Sequence, residues 1–248
     1  MRLTVVGCSG SFPGPDSAAS CYLVEQDGYR LLLDLGSGAL GELQRHVPLA
    51  EVDAIVLSHL HADHCLDVCP YVVFRRYHPD GPWPRIPLLG PAGTHDRLAV
   101  AYDPSVRTGL RDLFSFSAVT AGERELGPFR LRFERMNHPT ETYGVRLEAA
   151  GAALTYSADT GVTDALVRLA EGSTALLCEA SFMPDVVVPP DLHLTGREAG
   201  EHAAKAGVGR LLVTHVPPWA DRTVIHAEAA AAYGGPTELV AAGSSYTV

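Results

Sequence analysis

Four side chains of the metal-binding type lie within six positions of a single segment, Ser58-His59-Leu60-His61-Ala62-Asp63-His64. The segment directly follows an apolar run, Ala54–Leu57, that is typical of a buried strand. A tight turn at a strand end can aim His59 and His61 at one point and the last two groups at a neighbouring point. The spacing therefore predicts two adjacent metal ions held by imidazole and carboxylate ligands, which suit Zn²⁺ or a similar cation. The alternative is a loop of solvated histidines, but eleven histidines scattered at random would seldom cluster in this way.

A site for two metal ions needs more ligands than this loop supplies. His138, Asp159 and His215 are the candidates, and each of them follows a predicted strand. Taken singly, each has an ordinary loop residue as its alternative. Their common position at strand ends favours one shared rim, where loops usually carry function.

The elements that must position these groups follow from the hydrophobic pattern. The predicted strands are Leu3–Gly7, Cys21–Gln26, Tyr29–Asp34, Ala54–Ser58, Ile86–Leu89, Phe129–Arg135, Tyr143–Leu147, Ala153–Ser157, Thr174–Cys178, Leu211–Thr214 and Glu238–Ala242. The predicted helices are Asp63–Tyr77 with a break at Pro70, Thr163–Ala170, Glu198–Ala206 and Asp221–Tyr233. Strands followed by helices occur twice without a linker between them. This order predicts an α/β fold, a four-layer αββα sandwich formed by a single domain over residues 1–248.

Composition narrows the class of partner. The chain has 248 residues and a formal net charge of −10 at pH 7. A negative surface repels phosphate backbones, so long nucleic acids are not expected as partners, whereas a small anionic substrate at a metal centre is. The five cysteines are odd in number and predict reduced thiols in a cytoplasmic protein. No apolar run reaches the length of a membrane helix, so no membrane association is expected.

The order of these ligands resembles the metallo-β-lactamase superfamily over essentially the whole chain. The resemblance implies the αββα fold and two metal ions. It assigns His59, His61 and His138 to one metal, and Asp63, His64 and His215 to the other, with Asp159 bridging the two. Asp34, in Leu33-Asp34-Leu35-Gly36, matches the family's early buried aspartate beneath the histidine loop. Its alternative is a plain turn residue after a strand.

Two further segments, Glu179-Ala180-Ser181-Phe182 and His193-Leu194-Thr195, resemble motifs of the ribonuclease Z-like phosphodiesterases. The resemblance implies that His193 stands near the metals and donates a proton to the leaving group, with Glu179 as its orienting carboxylate. With Asp63, these two residues form the expected catalytic set. The alternative makes Thr195 a helix cap, His193 a solvated loop residue and Glu179 an acid at a strand end. The glycine-rich opening, from Gly7 to Ser11, resembles the first turn of the same branch.

Substrate is the harder question. The tRNA-processing members carry a long arm between the positions of His138 and Asp159, and here that interval holds only two predicted strands and a turn. The segments Arg75-Arg76-Tyr77-His78-Pro79 and Pro217-Pro218-Trp219 are similar to the actinobacterial atypical class II cyclic-nucleotide phosphodiesterases. This similarity implies hydrolysis of 3′,5′-cyclic AMP to the 5′-monophosphate by a hydroxide that two metal ions activate. Zn²⁺ is the expected metal with Mn²⁺ as the alternative, and a homodimer is expected by analogy. The alternatives are a tRNA 3′-processing endonuclease or another metallo-hydrolase of the same fold.

The sequence allows two interpretations for each of the residues that could contact the substrate. Trp219 follows His215 closely in a proline-stiffened loop, so its ring either stacks on a purine or packs in the core. Arg75 and Arg76 either reach the phosphate or lie on a solvated helix face.

Overall fold

The computed structural model describes residues 1–105, 110–184, 186 and 189–248. Its strands are β1 (Arg2–Ser9), β2 (Ala18–Ala19), β3 (Cys21–Gln26), β4 (Tyr29–Leu33), β5 (Ala54–Val56), β6 (Ile86–Gly90), β7 (Phe114–Ala118), β8 (Gly122–Leu126), β9 (Phe129–Arg135), β10 (Tyr143–Ala149), β11 (Ala152–Tyr156), β12 (Ala175–Glu179), β13 (Leu211–Thr214), β14 (Thr237–Leu239) and β15 (Ser245–Thr247). Its helices are α1 (Ala39–Leu43), α2 (Ala62–Cys65), α3 (Val68–Tyr77), α4 (Thr94–Tyr102), α5 (Asp164–Ala170), α6 (Gly196–Ala206) and α7 (Arg222–Tyr233), with one 3-10 turn at Leu49–Glu51.

The described strands form two mixed sheets. The first has the order β15-β1-β3-β4-β5-β6-β7, with β2 beside β1, and the second has the order β14-β13-β12-β11-β10-β9-β8. In each sheet an antiparallel part continues into a parallel part, β4 to β7 in the first and β11 to β14 in the second. Parallel strands end at one edge of their sheet, so the loops that follow β5, β11 and β13 can converge.

Alternation along the strands builds three apolar layers. In β5, Ala54 and Val56 point between the sheets, while Ile55 points to the outer face. In β12, Ala175 and Leu177 point inward and Leu176 outward. Period-two burial on both faces is what a sheet covered on both sides requires.

The helices cover the outer faces. Side chains of α1, α3 and α4 pack on the first sheet, and those of α5, α6 and α7 pack on the second. The helix–sheet–sheet–helix order confirms the predicted four-layer αββα sandwich. Thr195 caps α6 through a reciprocal bond with Glu198, as its sequence position predicts. Within the described residues, no helix combines the length and the hydrophobicity that a membrane crossing requires.

The predicted helix over 63–77 is two helices, and its break is misplaced. α2 ends at Cys65 and α3 begins at Val68, so the interruption lies at Leu66 and Asp67. Pro70 is the third residue of α3, where a missing N–H leaves no intrahelical bond unmade.

Several short elements escaped the prediction. α1 and α4 are brief helices in glycine-flanked segments, and β8 is a solvated strand with the sequence Gly-Glu-Arg-Glu-Leu. In β7, the alternation of Phe114 and Phe116 with serines is a strand signal that the prediction omitted. None of these elements carries a candidate ligand.

Arg75 is not on a solvated face of α3. Its side chain is buried with 1% exposure, donates to the Tyr71 hydroxyl at 3.2 Å and to the Pro84 carbonyl, and lies over the Phe114 ring. It therefore holds the loop before β6 against the helix. Arg76 pairs with Asp112 at 2.9 Å.

Candidate metal centre

The histidine loop begins where β5 ends and is fixed from both sheets. The Tyr143 amide donates to the Ser58 carbonyl at 3.0 Å, and the Leu35 amide donates to the His64 carbonyl at 2.8 Å. Gly36 lies directly against the Asp63 carbonyl, where a Cβ atom would overlap it. Backbone contacts with distant segments therefore fix how the loop presents its side chains.

The first triad is formed by His59, His61 and His138. The Nδ1 atom of His61 lies 3.0 Å from Nε2 of His59 and 3.4 Å from Nε2 of His138. His138 donates through Nδ1 to the Leu192 carbonyl at 2.8 Å, which leaves its Nε2 lone pair directed at the other two rings. The first triad thus offers three nitrogen ligands at one point.

The second triad is formed by Asp63, His64 and His215. The Nε2 atoms of the two histidines are 3.1 Å apart, and Oδ2 of Asp63 lies 3.4 Å from the first and 3.3 Å from the second. His64 donates through Nδ1 to Asp34 at 2.8 Å, so its Nε2 carries a lone pair when the ring is neutral. Electron-pair donors therefore face one another here.

Asp159 lies between the two triads. Its Oδ2 atom is 3.7 Å from Nε2 of His59, and its Oδ1 atom is 3.3 Å from Nε2 of His64. The residue is 2% exposed, and Oδ1 has no hydrogen-bond partner among the described residues. A buried carboxylate oxygen without a partner is costly, and divalent cations would satisfy it together with the facing nitrogens. The seven side chains therefore fit a pair of metal ions.

Strained backbone turns the chain at three of these strand ends. Asp34, Ala158 and His215 have φ values of 60°, 55° and 55°, in the left-handed region that non-glycine residues seldom adopt. Such strain persists at functional sites where the surroundings enforce it. Gly10 lies against the His215 carbonyl, where a Cβ atom would overlap it, which explains the glycine-rich first turn.

Asp34 is a buried hydrogen-bond hub rather than a plain turn residue. Its Oδ1 accepts from the Ser58 amide at 2.7 Å. Its Oδ2 accepts from Nδ1 of His64, the Ser58 hydroxyl and the Tyr156 hydroxyl, each at 2.8 Å. Tyr156, which lies three residues before Asp159 in β11, was not among the predicted site residues. Nothing local marks it, because it reaches Asp34 from the opposite sheet.

Glu179 and His193 form a pair beside the triads. Nδ1 of His193 donates to Oε1 of Glu179 at 2.9 Å, and that oxygen also accepts from the Thr160 amide at 2.7 Å. The His193 ring lies 5.6 Å from the ring of His138 and 5.5 Å from that of His215, so it stands against one member of each triad.

The segment before His193 is fastened to the first triad. The Asn137 side chain donates to Asp191 Oδ1 at 2.8 Å, next to the His138–Leu192 bond described above. These bonds tie the position of His193 to that of His138.

Burial and charge set the protonation of the imidazoles. Burial lowers the pKa of His59, His61 and His138, which favours the neutral rings that metal ions bind. Burial also lowers the pKa of His193, but the Glu179 carboxylate outweighs it and raises that pKa to about 9. His193 is therefore protonated at neutral pH and can donate a proton.

Trp219 is not buried. Its side chain is 66% exposed and stands 5.2 Å from the ring of Phe12, which is 44% exposed. The two loops that carry them meet where Ser9 pairs with Val216, next to His215. An exposed aromatic pair thus lies close to the second triad.

Comparison with known proteins gives one consistent result. A family model described as a β-lactamase superfamily domain matches residues 29–216. An uncharacterized protein of Mycobacterium leprae is 46% identical over 253 residues, covering 100% of this chain and 89% of that protein. Ribonuclease Z of Mycobacterium bovis is 30% identical over 245 residues, covering 88% of this chain and 86% of that enzyme.

A solved structure is similar throughout. The probable metallo-hydrolase YhfI of Bacillus subtilis is 30% identical over 250 residues, covering 98% of each chain. Its crystal structure, described as a metallo-β-lactamase fold protein, superimposes with a TM-score of 0.87 and 28% identity over 99% of both chains. The two-sheet architecture is therefore that of a known fold.

Proposed function

We propose a phosphodiesterase function for this chain, which belongs to the β-lactamase superfamily and has the fold of its metallo-hydrolases. The resemblance to this superfamily and to ribonuclease Z is confirmed by the matches over most of the chain. The narrower assignment to the cyclic-nucleotide subgroup stays a prediction. Within it, the proposed reaction is hydrolysis of 3′,5′-cyclic AMP to 5′-AMP.

The pair formed by His193 and Glu179 carries the proposal. Departure of a sugar oxygen from phosphorus leaves an alkoxide that needs a proton, and a histidine held by a carboxylate can supply it. Nδ1 of His193 is engaged by Glu179 at 2.9 Å, so Nε2 is the nitrogen left for the substrate. We therefore assign His193 as the proton donor to the 3′ oxygen and Glu179 as the residue that orients it.

The seven residues of the two triads and Asp159 would hold two divalent cations, with Zn²⁺ proposed and Mn²⁺ as the alternative. When bound, these ions activate water and neutralise the charge that grows on the phosphoryl oxygens. Asp63 and Asp159 keep both positions anionic, which favours cations there. In the overall reaction, water adds to phosphorus and the bond from phosphorus to the 3′ oxygen breaks. The 3′ oxygen takes a proton from His193, and the proton that the water loses replaces it.

The surroundings favour a small substrate. β10 and β11 are joined by the tight turn Ala150-Gly151, so the interval from His138 to Asp159 has no room for an arm that grips tRNA. The formal net charge of −10 also disfavours a long polyanion. We assign the nucleobase to the exposed pair of Phe12 and Trp219, since aromatic rings bind bases by stacking.

A tRNA 3′-processing activity is the second candidate, because ribonuclease Z of Mycobacterium bovis is 30% identical to this chain. The two functions separate in one experiment. Purified protein loaded with Zn²⁺ or Mn²⁺ is assayed on 3′,5′-cyclic AMP, 2′,3′-cyclic nucleotides, bis(p-nitrophenyl) phosphate and a precursor tRNA, with products identified by chromatography. The expected result is 5′-AMP from 3′,5′-cyclic AMP, and exclusive cleavage of the tRNA would overturn the proposal.

A further inference from the structure

The two triads differ in charge. The first triad consists of three imidazoles, which bind a metal ion as uncharged rings. The second triad contains the Asp63 carboxylate, whereas Asp159 turns Oδ2 towards His59 at 3.7 Å and Oδ1 towards His64 at 3.3 Å, so each position faces one of its oxygens. A divalent cation is drawn more strongly to the position with the additional carboxylate.

The two triads also differ in the groups that accept a hydrogen bond from their histidine ligands. In the second triad, His64 donates straight to the buried Asp34 carboxylate at 2.8 Å. In the first triad, His138 donates to a neutral backbone carbonyl, that of Leu192. A carboxylate behind an imidazole raises the basicity of the nitrogen that binds the metal, whereas a carbonyl does so less.

His215 reaches a carboxylate through one hydroxyl. Ser181 Oγ lies 2.9 Å from Nδ1 of His215 and 3.1 Å from Oε2 of Glu179, and all three residues are buried. Its other partner is the His215 carbonyl at 2.8 Å. When Nε2 of His215 faces a metal ion, its Nδ1 carries the proton and donates to Ser181, and the Ser181 hydroxyl then donates to one of these two oxygens, which only accept.

The first triad contains a mirror of this arrangement. Nδ1 of His59 lies 3.1 Å from Oγ of Ser58, and that hydroxyl donates to Asp34 at 2.8 Å. Each triad thus has one histidine that a serine links to a buried carboxylate. Only the second triad has, in addition, a directly paired histidine and a carboxylate ligand of its own.

We propose that the second triad binds its cation more tightly than the first, so that the centre fills in a fixed order, and that Ser181 is the positioning residue that secures the tighter position. The order concerns metal affinity alone and does not depend on which phosphodiester is the substrate.

The test begins with unmodified protein. Full-length protein is stripped with a chelator, and crystals are grown with one equivalent of Zn²⁺. Anomalous density is expected between Asp63, His64 and His215, and calorimetric titration is expected to show a tight step followed by a weaker one. Density in the first triad, or equal density in both, would overturn the proposal.

Three variants then separate the two serine links, that of Ser181 between His215 and Glu179 and that of Ser58 between His59 and Asp34. Ser181→Ala is expected to lower the affinity of the tight step by about 10–100-fold, while Ser181→Thr, which keeps the hydroxyl, restores it. Ser58→Ala, the matched variant, is expected to weaken the second step more than the first, since its hydroxyl links His59 to Asp34 and only shares Asp34 Oδ2 with His64. An unchanged tight step in Ser181→Ala would refute the role of Ser181. Activity on cyclic AMP is assayed separately, so a wrong loading order and a wrong substrate give different results.

Discussion

The two halves of the molecule supply the centre in different ways. The first half contributes four ligand residues from one continuous loop after β5, which is bonded to Leu35 and, from the second half, to Tyr143. The second half contributes its groups from four places: His138 after β9, Asp159 after β11, His215 after β13, and Glu179 and His193 at the end of β12 and in the connection that follows it. The neighbouring ligands keep their spacing along the chain, whereas the dispersed ones depend on the register of the whole second sheet. The chemistry of proton donation and the shared ligand both come from the dispersed half.

The largest effect is expected where the dispersed half bridges the two triads. Asp159→Asn keeps the size of the side chain and removes the charge that both cation positions share. Hydrolysis is expected to fall by about 10⁴-fold, and bound metal to fall with it, because metal ions contribute several kcal/mol to such reactions. Elemental analysis and initial rates measure the two losses. Full activity with two ions bound would mean that Asp159 bridges nothing.

His193 separates catalysis from metal binding within the same half. His193→Ala is expected to lower kcat by about 10²–10⁴-fold, as for the loss of a general acid, with both ions retained. His226→Ala is the matched control, since His226 lies on α7 and its Nε2 donates to the Thr237 carbonyl at 3.2 Å. Loss of metal in the His193 variant would show that its role is ligation.

Substitution of Arg75, which lies on α3, tests a buried residue of the first half outside the histidine loop. Arg75→Ala removes a fully buried side chain and leaves the Tyr71 hydroxyl and Pro84 carbonyl without their donor. The free energy of unfolding is expected to fall by about 2–4 kcal/mol, with kcat per folded molecule unchanged. Urea unfolding and initial rates measure both quantities. A selective loss of phosphodiester hydrolysis would place Arg75 in the reaction.

The smallest of these effects is expected at the exposed aromatic pair of Phe12 and Trp219. Trp219→Ala is expected to raise KM for 3′,5′-cyclic AMP roughly tenfold with kcat preserved, because one base–aromatic stack is lost. Tyr77→Ala is the control, since Tyr77 is also 66% exposed but lies at the end of α3. Equal effects of the two variants on KM would show that Trp219 does not stack on the nucleobase.

The comparison of the halves also explains what the sequence reveals. The four ligands of the histidine loop could be predicted from the sequence because they are neighbours. The three distant ligands could be predicted because each follows a recognisable strand. Thr195 could be predicted as the cap of α6 because a capping box is formed by residues that are close in sequence. The fold follows in part from continuous apolar runs such as Ala54–Leu57, which are typical of strands buried on both faces.

The remainder depends on contacts between distant segments. The bond from Tyr156 to Asp34 joins residues 122 positions apart, and the link from Ser181 to His215 spans 34 positions. No periodicity encodes either pair. Burial of Arg75 and exposure of Trp219 run against the usual preference of each residue type, since tertiary packing overrides such preferences.

The hydroxyl of Tyr156 reaches Asp34 across the interior of the sandwich, as that of Tyr22 reaches Thr214 at 2.7 Å. The carboxylate that steadies the histidine loop therefore receives one of its donors only when both sheets have closed on each other. The first sheet supplies four ligand residues and Asp34, and the second supplies the remaining three ligands together with the Tyr156 donor, so the full ligand set and the full bonding of Asp34 exist only in the closed sandwich.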